Sequence, residues 1–149
     1  MRRAFTLIEL LVVIVIIGTL VGLSVPQLRK SVENFELENS VKNIYYLCHY
    51  LQASAASTGK VQRLNIDLNN NEISAFYKKN GEFVNVEGRF GKVYKIPETT
   101  QVTIEPAQKN TAYFYPDGSV EKISITFTGR FKKQVTLNIQ GAGSEIKIQ

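Results

Sequence analysis

The sequence predicts an α+β protein. One long N-terminal helix, transmembrane in its first half and amphipathic in its second, packs on a C-terminal antiparallel β domain of two small sheets. Three observations predict it. Residues 5–25 are apolar or small apart from one charge, Glu9. After Pro26 the apolar residues recur at helical spacing as far as Ser57-Thr58-Gly59. From Lys60 onward the period changes to two, with turn residues between short runs.

As a helix, residues 5–25 extend roughly 31 Å at about 1.5 Å per residue, close to the hydrocarbon thickness of a bilayer. Arg2 and Arg3 precede the run, and the positive-inside bias places them in the cytoplasm with residues 26–149 beyond the membrane. The expected topology is a single membrane crossing, with the C-terminal domain on the extracytoplasmic side. A buried soluble helix of this uniformity needs apolar partners on every side, more than the remaining chain supplies. A secretory signal peptide cut after Ser24 is the other reading, and a carboxylate inside the apolar run argues against it. Gly18, Thr19 and Gly22 form a small-residue strip suited to close approach of sister helices.

Glu9 needs an explanation. A carboxylate in the bilayer costs about 2.5–3.5 kcal/mol by insertion scales. No cation lies in the same segment, so the expected partner is an amine on a neighbouring copy, freed by cleavage just upstream. The passage Ala4-Phe5-Thr6-Leu7-Ile8-Glu9-Leu10 resembles the processing site of type IV pilins and type II secretion pseudopilins. The resemblance implies a leader of residues 1–4 removed by a prepilin peptidase, N-methylation of Phe5, and a role for Glu9 in subunit assembly. One departure is Ala4, where the family usually has Gly; the small side chain meets the requirement, with slower cleavage expected. Pro26 also matches, because pilins often carry a proline where their long helix bends, and a helix kink is expected there.

The chain is one domain plus a tether. Its 149 residues carry eighteen Lys and Arg against thirteen Asp and Glu. Without Arg2, Arg3 and Glu9, the part beyond residue 25 has sixteen against twelve, a mildly basic surface. Cys48 is the only cysteine, so no intrachain disulfide forms. Cys48 and His49 are adjacent, point about 100° apart on a helix and make a poor metal site; a core-facing thiol and a partly exposed imidazole are expected.

Taken in order, residues 1–4 are leader, 5–25 membrane span and filament-core helix, 26–59 amphipathic continuation and 60–149 β domain. Leu28, Val32 and Phe35, then Val41, Ile44, Tyr45, Cys48, Leu51 and Ala55, are read as one buried stripe, with Arg29, Lys30, Glu33, Glu36, Asn39, Lys42 and Asn43 opposite. Gly59 suits a left-handed C-cap. Strands are expected over 64–68, 72–77, 83–86, 93–96, 102–104, 111–115, 120–128, 135–139 and 145–148. Asn80-Gly81 is the strongest hairpin cue, Pro116-Asp117-Gly118 a second turn, and Gly141-Ala142-Gly143 the last. The ending from Phe114 through this turn to the terminal strand is similar to the GspH/FimT group of minor pseudopilins and minor pilins.

Nothing in the residues supports catalysis. No triad can be built around His49 alone, and no H-E-x-x-H, phosphate loop or dinucleotide fingerprint appears. Asp117 is read as a turn residue, and Asp67 with Asn69, Asn70 and Asn71 lacks a calcium-loop pattern. No metal, cofactor or enzymatic activity is expected. The resemblance implies a structural subunit of a type II secretion pseudopilus. Its partners would be sister subunits, prepilin peptidase, an inner-membrane assembly platform and membrane lipid. The alternative is a minor type IV or competence pilin that binds DNA. Gly129-Arg130-Phe131-Lys132-Lys133, near Lys122 in sequence, resembles the Gly-Arg-x-Arg element of DNA-binding minor pilins, with Lys132 in place of the second Arg and at a hairpin rather than a tail. That reading names Arg130, Lys132 and Lys133 as DNA contacts.

Overall fold

The computed structural model describes residues 6–140 and 145–149. The chain divides into two compact units, the first ending at Glu33 and the second running from Asn34 to Gln149. A single helix, α1 (Leu7–Thr58), runs through both, with Pro26 inside it. The Ala4–Phe5 junction and the Gly141-Ala142-Gly143 turn lie outside the described residues.

Within the second unit α1 buries Leu37, Val41, Ile44, Leu47, Cys48, Leu51 and Ala55. These recur every three or four residues and make the single face that a helix presents to a core. Gly59 ends the helix with φ +66°, its N–H donating to Ala55 O at 3.1 Å, as expected of a glycine C-cap.

Nine strands follow among the described residues. The first sheet has the order β3-β2-β1-β6, built from β1 (Gln62–Asp67), β2 (Glu72–Lys79), β3 (Glu82–Asn85) and β6 (Thr111–Phe114), with β4 (Tyr94–Lys95) also paired to β2. The second has the order β5-β7-β8-β9, from β5 (Gln101–Glu105), β7 (Ile123–Thr128), β8 (Gln134–Ile139) and β9 (Ile146–Ile148). Every strand pair is antiparallel. Asn80 and Gly81, at φ +51° and +93°, form the two-residue hairpin between β2 and β3.

Inward positions alternate along β1, β7 and β8, and with the α1 stripe they make one core: Leu64, Ile66, Ile125, Phe127 and Leu137 are at most 1 % exposed. The helix serves both sheets. Ser54 Oγ accepts a bond from Gln62 Nε2 of β1 at 3.2 Å, and a Cβ placed on Gly129 would stand 3.1 Å from Leu37 Cδ2. The outer face of the second sheet is a polar ladder, with Ser124 Oγ donating to Asn138 Oδ1 at 2.8 Å and the Thr126 and Thr136 hydroxyls 3.1 Å apart.

Two expectations are corrected. Leu28, Val32 and Phe35 are 63 %, 54 % and 64 % exposed and do not belong to the buried stripe. Phe35 precedes buried Leu37 by two residues, which turns it about 200° around the axis, so α1 carries apolar residues on two faces. Leu68 does not continue β1: it is 40 % exposed at the following turn.

Candidate functional site: the start of the helix and its bare apolar face

Thr6 and Glu9 close the start of α1 on each other. Glu9 Oε2 accepts from the Thr6 N–H and from Thr6 Oγ1, and Thr6 Oγ1 accepts from the Glu9 N–H, each at 3.3 Å. This is a capping box, S/T-x-x-E, which satisfies donors that the first helical turn leaves unpaired. In the sequence the lone charge of Glu9 stands out, whereas Thr6 is signalled only by the Thr-Leu-Ile-Glu spacing. The hydrogen bonds orient the carboxylate without neutralising it, because both donors are uncharged.

From residue 10 to residue 25 the helix is apolar or small on all sides. Its most apolar 18 residues have a mean hydropathy of 2.7 and none of them is buried. By length and composition it can cross a membrane. Its hydroxyls are satisfied within the helix: Thr19 Oγ1 donates to Ile16 O at 2.8 Å and Ser24 Oγ to Leu20 O at 2.7 Å, as a lipid environment requires. A Cβ on Gly18 or Gly22 would meet nothing within 4 Å, so the strip is open to a neighbouring helix.

The basic hairpin is a built turn. Lys132 N–H donates to Gly129 O at 2.9 Å and Gly129 N–H to Lys133 O at 2.8 Å, with Lys132 at φ +62°. Lys133 Nζ is ion-paired and hydrogen-bonded to Glu38 of α1. Arg130, exposed, is already engaged within the chain. Lys122 sits just before the far end of β7 from this turn, roughly 20 Å away at about 3.3 Å per residue, so the four cations do not form one patch.

The Lys133 hydrogen bond and charge hold the Glu38 carboxyl below the usual range. The folded value is depressed, so the pair stabilises the fold above the ordinary glutamate value of 4.5 and ceases to do so as pH falls through the lower folded value. Lys133→Ala is expected to raise the Glu38 midpoint toward 4.5 in a carboxyl-carbon NMR titration, with a stability difference from wild type that vanishes below both values.

The remaining candidates are structural. Asp117 Oδ1 accepts from the Ser119 N–H at 2.9 Å and from Ser119 Oγ at 2.6 Å, which lowers its pKa and closes the turn. Asp67 does the same for Asn69 and Asn70, its pKa lowered chiefly by the Asn70 side chain. The Cys48 thiol is fully buried and pushed up to about 12 by desolvation, so it is protonated and inert. His49 is exposed, its ring set edge-on to Tyr45 at 4.5 Å. Among the described residues no three His, Cys, Asp or Glu gather as a metal site.

Residues 1–25 match the model of the prokaryotic N-terminal methylation motif. The fold is similar to that of the minor pseudopilin EpsH from the type 2 secretion system of Vibrio cholerae, with a TM-score of 0.66 over 76 % of this chain and 96 % of that one at 14 % identity. This chain has a pilin-like fold. The type IV minor pilin FimU of Pseudomonas aeruginosa is similar too, at a TM-score of 0.61 and 14 % identity over 78 % of this chain and 90 % of that one. No match is found among curated protein sequences. A pilin-like fold behind a methylation motif accounts for the long helix, the two antiparallel sheets and the apolar N-terminal segment together.

Proposed function

We propose that this pilin-like chain is a minor pseudopilin, cut between Ala4 and Phe5 by a prepilin peptidase, N-methylated at Phe5, and assembled with sister subunits into the pseudopilus of a type II secretion system. The observation that carries the reading is a single carboxylate, Glu9, at the head of a helix whose apolar surface is bare. In oil an unneutralised carboxylate is costly. The Thr6 capping box holds it in place, and a methylated α-amine from the next subunit neutralises it. That pairing rewards one axial stagger between neighbouring helices and penalises others, because an off-register neighbour leaves two charges buried apart. The open Gly18–Gly22 strip favours close helix contact. Pro26, inside α1, is the proposed bend between the membrane segment and its continuation. The chain sits in the inner membrane with its C-terminal domain on the periplasmic side, where an assembly platform extracts it.

Intact mass of the protein purified from membranes tests the processing step. The expected mass is that of a chain beginning at N-methylated Phe5. A chain beginning after Ser24 would be a secreted protein, and the proposal would be wrong. The DNA-binding alternative, through Arg130, Lys132 and Lys133, is less well supported, since Lys133 is committed to Glu38.

A further inference from the structure

Gln62, the first residue of β1, faces the interior and is 2 % exposed. Its Nε2 donates to Ser54 Oγ, and its Oε1 is buried with no hydrogen-bond partner. A buried carbonyl oxygen without a donor is unfavourable and calls for a partner. Gln62 forms part of the wall of a cavity of about 250 Å³, together with Tyr50 and Ser54 of α1, Lys60, Tyr77 of β2, and Glu87. That volume lies just under the roughly 300–1,000 Å³ of drug-sized pockets, which suits a single ring.

The lining narrows the chemistry. It offers one ammonium and one carboxylate, so an anion meets Glu87 and a cation meets Lys60. A purely apolar guest leaves the Gln62 Oε1 without a donor. A hydroxyl both donates and accepts, so it completes the Gln62 amide whichever end is turned inward. Two tyrosine rings and Val86 supply the apolar part of the wall. Tyr50 is held by stacking on Phe90, centroids 4.3 Å apart and planes at 16°, and Tyr77 carries Lys60 Nζ 5.3 Å above its ring. The frame is tied by backbone bonds from Lys78 N–H to Val61 O at 2.8 Å and from Val86 N–H to Ala75 O at 3.0 Å. Little ordering remains to be done on binding.

We propose that this cavity is a saccharide site, taking one neutral pyranose ring, either free or as a unit of a longer glycan. Its hydroxyls would meet Gln62, Ser54, Lys60 and Glu87, with a C–H face against a tyrosine ring. The proposal is independent of filament assembly.

The test is saturation-transfer NMR on the full chain in lauryldimethylamine oxide, since alkyl glycoside detergents would compete. The probes are glucose, N-acetylglucosamine and the β-1,4-linked tetramer of the latter. Transfer to the ring protons of at least one probe is expected. It should fall about fivefold, the value of one hydrogen bond, in Gln62→Met and in Glu87→Ala. Stronger transfer to the tetramer assigns the site to a longer glycan, and equal transfer to a single sugar. If Gln62→Met does not fold, Glu87→Ala and Lys60→Ala, both at exposed positions, carry the test. No transfer to any probe, or transfer undiminished in the folded variants, overturns the proposal.

Discussion

Glu9→Ala is expected to leave the protein in the membrane, processed at its N-terminus, but to remove it from filaments by at least an order of magnitude, measured as sheared-filament content against membrane content. The charge costs about 2.5–3.5 kcal/mol in the bilayer, so a neighbour that fails to neutralise it is disfavoured by a factor on the order of 100. Alanine removes the penalty together with the reward for correct stagger. Glu9→Gln separates the proposed charge pairing from the capping box. Glutamine still accepts from Thr6 and keeps the capping box, but it carries no charge. Assembly lost equally in both variants assigns the role to the charge. Assembly restored by glutamine assigns it to the cap and removes the amine pairing from the account.

Phe127→Ala is expected to destabilise the second unit by about 3–5 kcal/mol, the usual cost of a buried phenylalanine. Its ring is 1 % exposed in β7, and truncation leaves a cavity in the buried core cluster. Phe35→Ala, on the exposed face of the helix, is expected to change stability by no more than about 0.5 kcal/mol. Urea unfolding of the detergent-solubilised chain, followed by circular dichroism, measures both. A large loss at Phe35 would return that residue to the buried stripe.

Those two phenylalanines mark where the fold was legible and where it was not. Alternation over Ile123, Ile125 and Phe127 reads directly as a half-buried strand, because side chains of a strand must alternate between its faces. Asn80-Gly81 and Pro116-Asp117-Gly118 were equally plain, since few residues accept the backbone angles of those turns. The helix was harder. Leu28, Val32 and Phe35 have helical spacing among themselves, as do Val41, Ile44 and Cys48, and only the angle between the sets places them on different faces. A helix with apolar residues on two sides defeats a search for one stripe. In the candidate site, Glu9 stood out because charge is rare in such a segment, whereas Thr6 was hidden by its ordinariness. The Lys133–Glu38 pair joins residues 95 positions apart, and the cavity at Gln62 depends on three elements meeting. No local pattern encodes either.

The state of Cys48 has a practical consequence. With its sulfur sealed among core side chains and held as a thiol, a cysteine introduced at any exposed position becomes the sole reactive thiol on the folded chain. Cross-linking between neighbouring copies, or attachment of a spectroscopic reporter, can therefore be carried out on an otherwise native background, without first replacing the natural cysteine and disturbing what surrounds it.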